Sequence, residues 1–292
     1  MSVRAIILGA IMAAVSVVSA SAQNEEIPER ERPFPPLRIV GNLYYVGTYD
    51  LGCYLITTDE GHILINSGYE NSVPIIRDNI ETLGFNLEDI KIITTNHAHT
   101  DHVGGLAELK RLTGAETYMH EADVPLLVSG GDDDYRYPGG RGVIFPPIEV
   151  DHQIHDGSTI ELGGMVLTAH NHPGHTKGAV SFSMTIEDGG RNYDVLIANM
   201  GTVNDSVNLT FEPGYPDIVE AYESTFASQM AMHPDIWVAP HAGHFNFHEK
   251  YQPGMPYSPE TFLDPDGWFE KIDQVEAAFR ERLVTDASKP RD

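Results

Sequence analysis

Residues 97–102, His-Ala-His-Thr-Asp-His, put three imidazoles and a carboxylate into six consecutive positions. Imidazole nitrogen and carboxylate oxygen are the donors that zinc takes in catalytic sites, where one coordination position stays open to water. His97 and His99 are two apart, so at an extended strand end they project to the same side. Asp101 and His102 follow where the chain turns toward a helix. So short a window does not readily give four ligands to one tetrahedral ion. It can give two ligands to each of two adjacent ions if distant residues complete both sets. Asp101 also admits a simpler role, capping the following helix.

The missing ligands have candidates. His172 and His175 lie in "NHPGHTKG", with Pro173-Gly174 as turn chemistry, and His241 and His244 lie in "APHAGH". Each pair follows a strand-like run, "MVLTAHN" or "DIWVAP". Loops at strand ends on a rigid sheet are where a site can be held accurately. The remaining histidines, such as His62, His120, His152 and His233, read as ordinary surface or packed residues.

The elements that must position these groups follow from apolar periodicity. Strand-like runs "RIVGNLYYVGT", "GCYLITT" and "HILINSG" precede a helix over Ser72–Leu83, whose Val73, Ile76, Ile80 and Leu83 keep helical spacing. The run "KIITT" is a buried-type strand ending at the histidine cluster. A helix over 106–112, a strand near "ETYM" and a helix from Glu121 come next. Residues 129–147 are long and irregular, and Tyr135, Tyr137 and Phe145 there either cover the site or belong to a solvated loop. The strands "STIEL", "MVLTAHN", "AVSFSMTI" and "YDVLIAN" follow, then a helix over 215–232. The last helix carries Phe269, Ile272, Val275, Phe279 and Leu283 on one face. Strands followed by helices in both halves, each with a histidine at a strand end, imply two β-rich halves packed face to face with helices outside and the site between their edges.

The chain has 292 residues, 43 acidic against 18 basic, and a formal charge of −25. Such a surface repels phosphate backbones, so nucleic acid is not an expected partner. Residues 1–22 combine Arg4, an apolar stretch and Ala20-Ser21-Ala22, the pattern of a signal peptide. Export to a bacterial periplasm is therefore expected, with no membrane attachment after cleavage. Residues 23–36 are charged and proline-rich and read as a flexible N-terminal arm, and residues 37–292 as a single metallo-hydrolase domain. Cys53, the one cysteine, reads as a buried structural thiol, with no partner for an internal disulfide.

The His-x-His-x-Asp-His pattern, followed by Gly104-Gly105, resembles the signature of the metallo-β-lactamase superfamily. "GFNLEDIKIITTNHAHTDHVGG", "HPGHTKGAVSF" and "HPDIWVAPHAGHFNFHEKY" look like its subclass B3 enzymes. The resemblance implies an α/β fold, an αββα sandwich, with two zinc ions per chain at one edge. One ion would take His97, His99 and His175, and the other Asp101, His102 and His241. Other β-lactamase subclasses place a cysteine in the second set; the residues around "NMGTVN" contain none. The implied reaction is hydrolysis of the β-lactam ring of penicillins, cephalosporins and carbapenems by a metal-bound hydroxide, which Asp101 would orient. The chain also lacks the Ser-x-x-Lys arrangement of the serine enzymes. The partner is a small-molecule β-lactam, and a monomer is expected.

Two positions depart from the pattern. Where the family usually has Ile-Asp-x-Gly, this chain has Ile65-Asn66-Ser67-Gly68, so Asn66 would stand behind the ligands in place of an aspartate and orient a neighbouring ligand less firmly. Where B3 enzymes carry Ser-x-Ser for a substrate carboxylate, Thr202 and Asn204 are the nearest donors, or else part of an ordinary loop. The alternative functions on the same metals are a lactonase for N-acyl homoserine lactones or another ester hydrolase. A non-catalytic metal-binding module is a third reading.

Overall fold

The computed structural model describes residues 27–137 and 142–289. The signal segment 1–22 lies outside the described residues. The chain runs β1 (Leu37–Val40), β2 (Leu43–Tyr45), β3 (Tyr54–Thr58), β4 (Gly61–Ile65), α1 (Val73–Thr82), β5 (Ile90–Thr94), α2 (Thr100–Val103), α3 (Leu106–Thr113), β6 (Glu116–His120), α4 (Val124–Val128) and β7 (His152–Ile154). The second half is β8 (Thr159–Leu162), β9 (Met165–Asn171), β10 (Val180–Asp188), β11 (Arg191–Ile197), α5 (Ile218–Met230), β12 (Ile236–Val238), α6 (Phe247–Lys250) and α7 (Pro265–Ala287). Strands β1 to β7 form a seven-stranded sheet in chain order, and a five-stranded sheet runs β12-β11-β10-β9-β8. In the first sheet β1 to β4 pair antiparallel and β4 to β7 parallel.

Period-two alternation sorts the first sheet's side chains onto two faces. Tyr54, Ile56, Ile63, Ile65 and Ile92 enter the core shared with the second sheet, where they join Leu167, Phe182, Val195 and Ile197. Leu55, Leu64 and Ile93 point the other way, against Val73, Ile76 and Ile80 of α1 and Leu106 and Leu109 of α3. Helices α5 and α7 add Tyr222, Phe226, Trp268 and Ile272 to the first of these cores. The αββα sandwich read from the sequence is the architecture observed.

Local differences have local causes. Helix α5 starts at Ile218, because Pro216 precedes it, rather than at Tyr215. The region from Glu121 is a single 3₁₀ turn followed by five-residue α4. Helix α7 begins with Pro265, capped by Asp264, whose carboxylate accepts from the Gly267 amide at 3.1 Å. Its inward face is Trp268, Ile272, Val275 and Phe279; Phe269 and Leu283 are only partly buried.

Over residues 27–36, the described part of the N-terminal arm, the chain makes contacts with the domain. Phe34 is buried among Tyr45, Tyr49, Phe247 and His248. Backbone contacts run from the Tyr49 amide to Arg32 O (2.8 Å) and from Thr48 Oγ1 to Arg30 O (2.8 Å). One buried aromatic side chain contributes roughly 1.5–3 kcal/mol, which is why a charged, proline-rich stretch still docks. Among the described residues, no helix is long and apolar enough to cross a membrane.

Candidate metal centre

The centre forms where strand ends of the two sheets meet. Beyond β5 the chain bends at Asn96, whose Nδ2 donates to Val180 O (2.9 Å) and Ile197 O (3.3 Å) of the opposite sheet. His97 and His99 follow at once, both buried, with rings 4.7 Å apart. His102 comes from α2, fully enclosed. His175 lies beyond β9 on the turn made by Gly174, whose φ of +128° and contact with the Tyr222 ring leave no room for a side chain. His241 follows β12 and bridges to Leu51 of the first sheet.

Donor atoms of His97, His99 and His175 all lie within 4.8 Å of one another, as do those of His97, Asp101 and His102. His241 stands one contact further out: its Nε2 is 3.6 Å from Asp101 Oδ2, and its ring is 5.0 Å from that of His102. Of the expected second set, the tightest convergence on Asp101 and His102 is therefore made by His97. Asp101 is not a helix cap, since α2 is capped at His99 and the Asp101 carboxylate instead accepts from Arg30 Nη1 at 2.9 Å.

Three imidazoles have Nδ1 committed elsewhere. His97 donates to Asn199 Oδ1 (2.8 Å), His175 to Thr202 O (2.7 Å) and His241 to Asp50 Oδ2 (3.0 Å). Such partners fix the tautomer and leave Nε2 with its lone pair facing the centre. His97 Nε2, His99 Nε2 and both ring nitrogens of His102 are buried without a hydrogen-bond partner. Buried polar atoms are rarely left so, and metal ions would satisfy His97 Nε2, His99 Nε2 and one ring nitrogen of His102. Burial holds the pKa of His97, His99 and His102 well below the usual imidazole range and brings His175 down to about 4. All are neutral at pH 7, the form that binds metal.

The remaining candidates sort as follows. His172 faces away from the cluster, against Ser181 (2.5 Å) and Ser228 (3.2 Å). His244 lines the cleft beside His241, its ring 5.1 Å away, without joining the converging donors. Thr202 and Asn204 both stand beside His175: Thr202 through its carbonyl, Asn204 by donating from Nδ2 to His175 O (3.3 Å). Asn204 Oδ1 is also engaged, accepting from Arg136 Nη1 at 3.2 Å. Asn66 touches no candidate ligand. It takes a left-handed backbone (φ 65°), and its amide bonds Gly52 O, Asn96 Oδ1, Asn96 N and Thr95 Oγ1, at 2.9–3.0 Å. It braces the strand end just ahead of His97, with every donor and acceptor used, so the expected loosening of a ligand does not arise from it. Cys53 is buried, and burial pushes its thiol pKa up, so it stays protonated and unreactive.

Asp50, Asn199, Arg30 and Arg136 escaped the sequence reading. Each sits in a loop or strand end without a motif, and only the fold brings it to the centre. The cleft over the histidines has a volume of about 760 Å³, the size of a drug-like ligand's pocket. Arg30 and Asp50 line one part of it, and Arg136, Phe145, Thr202 and Asn204 are also on its walls. Of the described parts of segment 129–147, Phe145 is buried, Tyr135 Oη donates to His175 O at 3.2 Å, and Arg136 and Phe145 line the cleft.

Comparison with known proteins agrees with this geometry. The family model described as the metallo-beta-lactamase superfamily matches residues 53–189. A β-lactamase structure from Chitinophaga pinensis is 42% identical over 90% of this chain and 99% of that one, with a TM-score of 0.85. The chain belongs to the metallo-β-lactamase superfamily. Within that superfamily, GOB-18 from Elizabethkingia meningoseptica is 44% identical, covering 89% of this chain and 97% of its own, at a TM-score of 0.85. The class B3 di-zinc enzyme LRA-12 from an Alaskan soil metagenome is 43% identical, covering 87% and 96%, at 0.84. Among curated sequences, a hydroxyacylglutathione hydrolase of Serratia proteamaculans is 31% identical over 44% of this chain, which spans 41% of that protein. The superfamily is hydrolytic, and the chain carries a hydrolase's metal-ligand chemistry.

Proposed function

We propose that the protein is a zinc-dependent β-lactamase that opens the β-lactam ring of penicillins, cephalosporins and carbapenems. The observation that carries this is a set of neutral, buried imidazole nitrogens without hydrogen-bond partners, beside Asp101 at the base of a drug-sized cleft. Similarity to β-lactamase structures over nearly nine-tenths of the chain supports the choice of ring.

His97, His99 and His175 would hold one zinc ion, and Asp101, His102 and His241 a second. When bound, zinc supplies a Lewis acid for the carbonyl and an acidified water as the nucleophile. The chain's own contribution is orientation. Asn199, the Thr202 carbonyl and Asp50 hold three imidazoles with Nε2 turned inward, while Asp101 is placed to orient the attacking water. Thr202 and Asn204 contact the substrate carboxylate; because Asn204 is already bonded at both ends and the Arg136 guanidinium is held by Asp134 and Asn204, the Thr202 hydroxyl is the freer donor. Residues 37–292 are read as the catalytic domain, acting as a monomer. Periplasmic localisation rests on the residues 1–22 pattern.

A side-by-side comparison of turnover on a carbapenem, a cephalosporin and an N-acyl homoserine lactone, before and after chelation, tests this reading. Chelator-sensitive β-lactam hydrolysis with little lactone turnover is expected. A preference for the lactone would move the assignment to a lactonase, and two tightly held metals with neither activity would leave a binding module.

A further inference from the structure

Asp123 is a buried carboxylate that none of the chemistry above uses. It ends the 3₁₀ turn after β6 and accepts three hydrogen bonds. Ala98 N (3.0 Å) and Thr176 Oγ1 (2.7 Å) donate to its Oδ2, and Gly178 N (2.7 Å) donates to its Oδ1. The donors come from the two backbone segments that carry the first ligand set. Ala98 lies between His97 and His99 on the first sheet's strand end, and Thr176 follows His175 on the connection between β9 and β10 of the second sheet. The contact is close enough to exclude a side chain at Gly178, where a Cβ would lie 2.6 Å from the Asp123 amide nitrogen.

Sequestering a carboxylate is costly unless it is well hydrogen-bonded. Two amides and a hydroxyl satisfy this one without a salt bridge. Together with the Asn96–Val180 bonds on the other side of the ligands (Val180 N to Asn96 O, 2.8 Å; Asn96 Nδ2 to Val180 O, 2.9 Å), those three bonds fix the distance between the two ligand-bearing segments. A metal site is sensitive to placement at the level of about 0.5 Å, and His99 Nδ1 stands only 3.1 Å from His175 Nε2 across this junction.

We propose that Asp123 is a positioning residue that sets His97 and His99 against His175 and thereby tunes metal affinity at that set. The inference rests on reading those three histidines as ligands. It separates Asp123 from an ordinary fold-stabilising group, because a clasp between two ligand segments changes metal affinity in protein that remains folded.

The test uses the full chain and graded variants. Thr176→Val removes one of the three bonds. Asp123→Asn keeps an acceptor for Ala98 and Thr176 but turns an NH₂ toward the Gly178 N–H. Zinc affinity is read by competition with a chromophoric chelator, ligand geometry by the absorption spectrum of the cobalt(II) form, and folding by circular dichroism of the chelated protein. Zinc affinity is expected to fall about 10–100-fold in Asp123→Asn, the usual effect of losing a group that orients ligands, and less in Thr176→Val, with an altered cobalt spectrum in both. His175→Ala is the control for the ligand reading. Variants with lowered melting temperatures but wild-type zinc affinity and cobalt spectra would overturn the clasp while leaving the ligands in place. Wild-type zinc affinity in His175→Ala would overturn the ligand reading and the clasp together. Should Asp123→Asn fail to fold, Thr176→Val alone decides.

Discussion

Arg30 Nη1 donates to Asp101 Oδ2 at 2.9 Å, across 71 residues of sequence, and its Nε stands 3.5 Å from Asp50 Oδ2. One guanidinium from the N-terminal segment thus serves both a candidate ligand and the carboxylate that orients His241. It places a fixed positive charge where a second cation would also be drawn. In Arg30→Met, the second metal should bind several-fold more tightly, and the chelated protein should lose stability. Arg30 is half-exposed, so the effect on stability is about 1 kcal/mol or less. Equilibrium dialysis and thermal melts measure the two effects; weaker metal binding in the variant would show that Arg30 supports the site rather than competing for it.

His175 is the one member of the first ligand set that comes from the second sheet. His175→Ala should abolish turnover on any substrate the enzyme accepts and lower the metal content of the purified protein. Wild-type rates would remove the assignment of the first zinc.

Asn66 leads to an expectation opposite to the one drawn from the family pattern. Asn66→Asp would set a carboxylate against Gly52 O and Asn96 Oδ1, which now accept from the Asn66 amide. Loss of stability by about 1–3 kcal/mol is expected, the usual effect of stranding buried polar groups, with no gain in metal binding. Urea denaturation of the two proteins is the measurement, and an equally stable aspartate variant would refute the argument.

His172 contributes one share of an acid limb of stability, beside the other buried histidines whose pKa is lowered in the same direction. Burial, with His170 nearby, lowers its pKa from 6.5 to about 3, and Asp156 only partly opposes this. As pH falls the unfolded chain therefore takes up this proton before the folded one does. Stability is full above about pH 6.5 and is lost progressively from there toward pH 3. The melting temperature of chelated protein should fall over that range, at up to ~1.4 kcal/mol per pH unit for this group. His172→Gln should make the profile shallower by this group's share; an unchanged slope would assign the acid limb to the other buried histidines.

What was legible in the sequence was whatever repeats locally. Alternation in "YLITT" and "HILI" marked two-faced strands, and the six-residue cluster exposed its chemistry because its donors are adjacent. His175 and His241 could be listed as candidates beside His172 and His244, but choosing among the four needed the resemblance. In the structure, His172 turns into the second sheet, and nothing in "NHPGH" marks that turn. The supporting partners were hidden for a different reason. Asp50, Asp123 and Asn199 lie 191, 25 and 102 positions from the residues they bond, and a lone Asp or Asn has no periodicity to reveal it. Phe34 overrode the composition around it, since a single apolar anchor among charges and prolines is invisible to an average.

The amide of Asn96 joins the two sheets one residue ahead of His97, while the cleft's other walls come from loops around Arg136 and Thr202. This divides the molecule into parts with different freedom to evolve. Substitutions at the seam disturb folding and ligand placement together and will be purged under almost any selection. Substitutions at loop side chains that do not bond His175 alter what is admitted, so new drugs entering the environment can be met by variation there while the hydrolytic machinery is inherited intact.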